Sequence, residues 1–301
     1  VASSIAVLGS ANMDLVVRVA SAVRPGETVS GSSFATGPGG KGLNQAVAAA
    51  RAGAGVCFLG AVGADEFGGR LRGFLLAQGI DAAGLVASAE PTGIAAITVT
   101  DDGENAIVVV AGANGGDRLS DSDRAAIAGA GHLIVQLERP VSLVLEAMRW
   151  ARGHGVTTVL TPAPVPDSHI DELVSLSDIL LVNEHEAAAL SGDADAAGAG
   201  RMLSRTAGTV VVTLGAAGAL VAQGGEVTAT VAARPVAAVD TTGAGDTFAG
   251  VLIAWLAAGA TLHSSLEAAS AAAALTVTRP GAAASMPHRA DILTALQGDR
   301  S

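Results

Sequence analysis

The chain has 301 residues, enough for one large domain or two modest ones at about 150 residues each, and 50% hydrophobic against 15% charged residues exclude a disordered chain. Seventeen basic against 28 acidic side chains leave a net charge of −11, so the basic footprint of a nucleic-acid binder is missing. Two Trp, five Phe and no Tyr are too few for base-stacking platforms or a wall that stacks carbohydrate, so any sugar recognition would rest on hydrogen bonds.

The N-terminal run Val1 to Val7 has no basic region and reads as the approach to a strand rather than a signal peptide. The first predicted strand, residues 5–8, runs into the polar segment Gly9-Ser10-Ala11-Asn12-Met13-Asp14. Residues 15–20 and 28–34 read as two strands with no helix between them. Gly37-Pro38-Gly39-Gly40-Lys41-Gly42-Leu43-Asn44 then opens a predicted helix over 42–51. The lone cysteine, Cys57, lies in a predicted buried strand over 56–59 and permits no internal disulfide.

A helix over 67–78 follows, then a second helix-free pair of strands, 94–100 and 106–110, joined by the Gly-containing connection 101–105. From there strands at 132–136, 157–160, 179–182 and 210–213 alternate with helices such as 143–152 and 196–206. That rhythm is the signature of βαβ units around a mainly parallel sheet. The two helix-free pairs predict a small antiparallel sheet standing off the body as a lid. The apolar run 248–260 is shorter than the roughly 18 residues of a membrane span. The expectation is a soluble, cytoplasmic protein without membrane or nucleic-acid partners.

Asp240-Thr241-Thr242-Gly243-Ala244-Gly245-Asp246 precedes a helical run over 249–258. Glycines there free the backbone, and a helix start offers unpaired N–H groups and the positive end of the dipole, together an anion cradle. A carboxylate in such a cradle, Asp246, can take a proton from a hydroxyl attacking a bound phosphate. A helix cap accounts for Gly and Asp there equally well.

Other templates fail. Gly40-Lys41 lacks the first glycine of a P-loop, where Ala35 stands, and its Ser/Thr, where Gly42 stands. Phe248 occupies the third small position of a dinucleotide fingerprint. No G-x-S-x-G or H-E-x-x-H occurs, and His185-Glu186 stands isolated. At strand ends, Asn12, Asp14 and Asn44 offer short directional partners for hydroxyls, although turn chemistry explains each singly. Asn183-Glu184-His185-Glu186 offers oxygens that can organise hydrated Mg²⁺, and Thr213-Leu214-Gly215-Ala216-Ala217-Gly218 offers bare backbone and a hydroxyl to a nucleotide. A helix cap and a hairpin turn are the plainer alternatives.

Taken in order, these segments, with Gly39 to Ala46 and Ala111-Gly112-Ala113-Asn114, resemble the ribokinase family of PfkB-type sugar and nucleoside kinases over essentially the whole chain. The resemblance implies an α/β core, a mainly parallel sheet flanked by helices, at 1–10, 36–92 and 112–301, with a β-sheet lid at 11–35 and 93–111. It implies ATP as phosphoryl donor, Mg²⁺ on its phosphates, Asp246 as catalytic base, and an anion hole of backbone N–H groups from Gly243, Ala244, Gly245 and Asp246. Asn12, Asp14, Gly40, Lys41, Asn44 and Glu138 map to the sugar pocket, with Asp246 touching the reacting hydroxyl. Asn183, Thr213, Gly215, Gly218 and Gly245 map to the nucleotide, and Glu186 to the region ordering Mg²⁺.

A monovalent-cation site, with K⁺ as its ion, maps to Asp240, Thr242, Thr276, Arg279, Gly281 and Ser285, mostly through carbonyl oxygens. Pairing of lids implies a homodimer. The acceptor expected from the motifs is O5 of D-ribose. Another sugar such as fructose or 2-keto-3-deoxygluconate, or a nucleoside such as adenosine, is the alternative, and a non-catalytic sugar or nucleotide sensor stands further off. Three positions depart from the family pattern: Thr161 stands for an Asn, Thr242 for an aliphatic residue, and Ser270 for a larger polar group beside adenine.

Overall fold

Successive residues of the body strands point to opposite faces of one sheet, and both faces are buried, which is why these strands are apolar throughout instead of alternating with polar residues. Ile5 and Val7 pack on one side with Phe58, Ile134 and Leu181, while Ala6 and Leu8 pack on the other with Leu133, Val135 and Leu180. The computed structural model describes residues 5–298; the first four and last three residues of the expected core lie outside the described residues.

The first half of the chain runs β1 (Ile5–Leu8), β2 (Asn12–Val19), β3 (Ser33–Gly39), α1 (Lys41–Arg51), β4 (Val56–Gly63), α2 (Glu66–Ala77), β5 (Leu85–Ser88), β6 (Gly93–Thr100), β7 (Asn105–Val110), α3 (Asp121–Ala128), β8 (His132–Gln136) and α4 (Val141–Gly153). The second runs β9 (Thr157–Thr161), α5 (Ile170–Ser175), β10 (Ile179–Asn183), α6 (Glu184–Ser191), α7 (Ala196–Leu203), β11 (Thr209–Thr213), β12 (Ala219–Gln223), β13 (Glu226–Val231), α8 (Ala244–Ala257), α9 (Leu262–Val277) and α10 (Arg289–Gly298).

The large sheet has the order β13-β12-β11-β10-β9-β8-β1-β4-β5. It is parallel from β5 to β11 and antiparallel only at β12 and β13. The chain leaves β1 for β4 on one side and returns to β8 on the other, so the loops after β1 and β8 part at a switch point, where open α/β sheets place their ligands. Helices α1, α8 and α9 cover one face and α3, α4 and α7 the other.

The small sheet, β3-β2-β6-β7, corrects the expectation of an antiparallel one. Its two hairpins are antiparallel, but β2 and β6 join them in parallel register, Asn12 beside Gly93 through Val19 beside Thr100. The long excursion through α1, β4, α2 and β5 is a crossover that permits this. The strand expected at 28–34 lies instead at Ser33–Gly39, past residue 35 where the lid was expected to end. Pro38 fits there because β3 is an edge strand. Cys57 is half-buried on β4. No described helix is long and apolar enough to cross a membrane.

Candidate active site

The C-terminal ends of β1, β8, β9, β10 and β11 deliver the polar segments to one edge of the large sheet. After β1 the chain turns into β2, and Gly40 returns beside it at φ 91°, where a side chain would be strained and its Cβ would stand 3.0 Å from Asn12 N and Ser10 O. Helix α1 starts at the next residue. From the end of β8, the Glu138 carboxylate accepts from Lys41 N at 2.9 Å and from the Ser10 hydroxyl, tying the start of α1 to the β1 loop. Asn12 Oδ1 accepts from Asn114 Nδ2 at 2.8 Å, while Asn114 Oδ1 accepts from Ala11 N at 3.0 Å. The Asp14 carboxylate lies against Gly39, where a Cβ would fall 2.2 Å from Oδ2. Burial, and then the charge of Glu138, push the Asp14 pKa up to about 7.

Helix α8 begins behind Gly243, in the left-handed region at φ 76°, and has no side-chain cap; Ala244 N donates to Thr241 O at 3.3 Å, while the N–H groups of Gly245 and Asp246 lie in the first turn, ahead of any intrahelical acceptor. Asp246 sits in that turn. Its Oδ2 accepts from Asn44 Nδ2 at 3.0 Å and its Oδ1 from Gln45 Nε2 at 2.9 Å. Burial raises its pKa against the opposing pull of Lys41, Gln45 and Asn44, with Glu138 adding to the rise.

A cavity of about 230 Å³ brings Asp246, Gly243, Ala244 and Gly245 together with Lys41, Asn183, Glu186 and Thr213. It adjoins a second cavity of about 450 Å³ that shares Thr213, Thr241, Ala244 and Gly245 and extends past Gly215 and Gly218 to apolar Val236, Phe248 and Val277. The two form a polar end and an apolar end, as a nucleoside polyphosphate requires. Ser270 borders the apolar end but donates its hydroxyl to Ala232 O at 3.2 Å.

Asn183 and Glu186 form a reciprocal cap on α6: Glu186 N donates to Asn183 Oδ1 at 2.8 Å and Asn183 N to Glu186 Oε2 at 2.9 Å. One carboxylate oxygen of Glu186 stays uncommitted on the cavity wall. Among the described residues no cluster of three or more His, Cys, Asp or Glu is placed to hold a metal. That donor set fits Mg²⁺, which keeps its waters and binds chiefly through phosphate oxygens.

The expected cation residues gather beside the α8 turn without lining either cavity. Asp240 Oδ1 accepts from Thr242 N at 2.9 Å and Oδ2 from Gly281 N at 2.8 Å, drawing the two loops together. Burial alone would raise the Asp240 pKa, but these bonds outweigh it and hold the carboxyl below its usual range. Thr276 Oγ1 donates to Ala272 O at 3.0 Å and lies 3.1 Å from Thr247 Oγ1, while Ser285 Oγ donates to Ala282 O at 2.8 Å. Arg279 N donates to Thr276 O at 3.1 Å. With these hydroxyls engaged, loop carbonyls remain as the ligand type on offer, which suits a large monovalent cation.

Reading residue types in sequence missed two members of the site, Gln45 and Gln136, and marked a third, Thr161, only as a departure from the family pattern. Gln45, Gln136 and Thr161 form a buried chain behind Asp246, and only the position of Gln45 next to Asn44 in an Ala-rich helix hinted at it. Ala233, Arg234, Pro235, Val236 and Ala238, on the strandless stretch before Asp240, line the second cavity and carry no motif.

A carboxylate in an uncapped helix turn, facing a cavity with a polar and an apolar end, matches the layout of an α/β phosphotransferase. A family model described as pfkB family carbohydrate kinase matches residues 2–289, and the chain belongs to that family. It is 39% identical over 303 residues to the ribokinase of Haemophilus influenzae, covering 98% of both chains, and 40% identical over 308 residues to that of Schizosaccharomyces pombe, covering 96% of both. Among solved structures, ribokinase from Thermotoga maritima superposes with a TM-score of 0.91 at 32% identity, over 98% of this chain and 99% of that one. Arabidopsis thaliana ribokinase complexed with ribose and ATP superposes with a TM-score of 0.85 at 32% identity, over 99% of both chains.

Proposed function

We propose that the protein is an ATP-dependent ribose kinase that transfers the γ-phosphoryl group of ATP to O5 of D-ribose. The observation that carries this is Asp246 at the uncapped start of α8, in one cavity with Lys41, Asn183 and Glu186. The names of the full-length relatives and the ribose and ATP of the Arabidopsis structure support the choice of substrates.

Asn12, Asp14, Gly40, Lys41, Asn44 and Glu138 hold the sugar through hydrogen bonds, in keeping with the scarcity of aromatic residues. Asp246 takes the proton from O5 as the O5–Pγ bond forms and the bond from Pγ to the β-phosphate oxygen breaks, releasing ADP. N–H groups from Gly243 to Asp246 face the transferred phosphoryl and, with the Lys41 ammonium, offset its charge. Asn183, Thr213, Gly215, Gly218 and Gly245 take the nucleotide. Glu186 would order the water shell of a Mg²⁺ ion that offsets phosphate charge, and the 240–242 and 276–285 loops would hold K⁺, whose charge would add to the positive field beside the anion hole.

The small sheet acts as the lid. All six residues of β7 are exposed, with Val108 65% and Ile107 53% accessible, and Phe34 on β3 is 65% accessible; a second copy's lid covers this apolar face in a homodimer. ATP as donor supports a cytoplasmic location.

Asp14 gives this a pH signature. Its folded-state pKa lies above the unfolded value, so ionising it weakens the free protein as pH rises from about 4 toward 7. Sugar hydroxyls donate to the ionised form and draw the pKa back down. Ribose affinity should therefore rise with pH up to about 7, with a proton released on binding, seen as binding heats that depend on buffer ionisation enthalpy. Buffer-independent heats, or the same dependence in Asp14→Asn, would remove Asp14 from the pocket.

The acceptor is tested by ADP formation with Mg-ATP and K⁺ across D-ribose, 2-deoxyribose, fructose, 2-keto-3-deoxygluconate and adenosine. Ribose should give the highest kcat/KM. Preference for another acceptor would keep the mechanism and displace the sugar, and ADP formation with none of them would point to the sensor.

A further inference from the structure

The two oxygens of the Asp246 carboxylate are held in unequal ways. Oδ2 takes its bond from Asn44, whose own Oδ1 is buried without a partner. Oδ1 takes its bond from Gln45, which is 1% exposed and engaged on every side. The second Gln45 N–H donates to Thr161 Oγ1 at 3.0 Å, and Gln45 Oε1 accepts from Gln136 Nε2 at 2.6 Å.

The polarity of this chain has one solution. A carboxylate only accepts, so Gln45 must present its NH₂ to Asp246, its carbonyl oxygen must then face Gln136, and Gln136 must present its own NH₂ in turn. Gln136 Oε1 is left buried without a partner against Gly9, where a Cβ would fall 2.2 Å from it. Leaving that acceptor bare carries a cost, yet turning the Gln136 amide would set two carbonyl oxygens against each other. Thr161, at the position of an Asn in the family pattern, accepts from Gln45 with its hydroxyl and donates to Val135 O at 3.4 Å, which completes the lock.

We infer that Gln45, locked by Gln136 and Thr161, is a positioning residue that pins Oδ1 of Asp246 through the catalytic cycle, so that Oδ2 is the oxygen that takes the proton. With the kinase reading of the site as premise, the acceptor hydroxyl replaces Asn44 Nδ2 at Oδ2, and the bare Asn44 Oδ1 becomes an acceptor for the sugar. Gln136 lines neither cavity of the site, so any effect it has on Asp246 passes through Gln45.

Two volume-conserving variants, Gln45→Met and Gln136→Met, test the chain by the pH dependence of kcat and by carbon NMR titration of the Asp246 carboxyl. Losing a donor raises the carboxyl pKa. In both variants its titration should move to roughly three- to tenfold lower proton concentration, with kcat down roughly 10- to 100-fold for Gln45→Met and about fivefold for Gln136→Met, while the ribose dissociation constant stays within about threefold. The carboxyl titration needs no turnover, so it reads the chain even if no sugar is phosphorylated. In the unsubstituted protein, adding ribose should shift the side-chain amide protons of Asn44 and leave those of Gln45 in place. An unmoved carboxyl titration in the variants, or Gln45 amide protons that shift as far as those of Asn44, overturns the proposal.

Discussion

Replacing Asp246 by Asn should lower kcat by roughly 10²–10⁴-fold while ribose binding changes only a few-fold, because the substitution removes the proton acceptor and keeps its shape. The two amide donors that now grip the carboxylate, from Asn44 and Gln45, would meet one oxygen and one NH₂ in the variant. Turning the Asn44 amide presents its unpartnered Oδ1 to the new NH₂, so the loss in kcat should come with little change in the turn and no recovery at high pH. Steady-state kinetics together with calorimetric ribose titration separate the two effects. Turnover within tenfold of the parent would mean that the base is elsewhere.

Gly250→Val should be strongly disruptive although it lies outside the pocket. Helices α1 and α8 cross where Gly250 has no side chain: a Cβ there would stand 2.5 Å from Gln45 O and 2.6 Å from the Ala48 Cβ. Those are contacts that only movement of a helix can relieve. The same crossing lets Asn44 and Gln45, near the start of α1, reach Asp246, in the first turn of α8. Overpacking of this kind costs about 3 kcal/mol, and here it also pulls the base away from its two donors. Denaturant unfolding should show the stability loss, and kcat should fall with it in whatever fraction stays folded. A variant with the parent's unfolding midpoint and kcat would show that the helices do not meet at Gly250.

Much of the body was legible in the sequence because its physics is local. The apolar strands of the parallel sheet and the Ala-rich helices between them declare themselves by run length and period, and the expected strands at 5–8 and 132–136 match β1 and β8 in their bounds. The small sheet was less legible. Its hairpins are local, but the parallel pairing of β2 with β6 depends on how the body brings two distant segments together. Gly37, Pro38 and Gly39 read as part of the run that opens a helix, yet they extend β3, where an edge strand tolerates the missing N–H of Pro38.

The site divides along the same line. Asp246 and the Gly243 to Gly245 turn could be read from spacing, since a helix start with glycines and a carboxylate carries its chemistry in consecutive residues. The chain from Gln136 through Gln45 to Asp246 could not be read that way. It joins β8, α1 and α8, and buried glutamines have no spacing that marks them.

The most direct measurement is the position of phosphate in the product made from D-ribose and Mg-ATP with K⁺, by phosphorus–proton correlation NMR. Coupling of the new phosphorus to the two C5 protons, with ADP formed in equal amount, is the predicted result. Phosphate on another carbon of the sugar, or ADP released with free inorganic phosphate alone, would contradict transfer to O5 with Asp246 as its base.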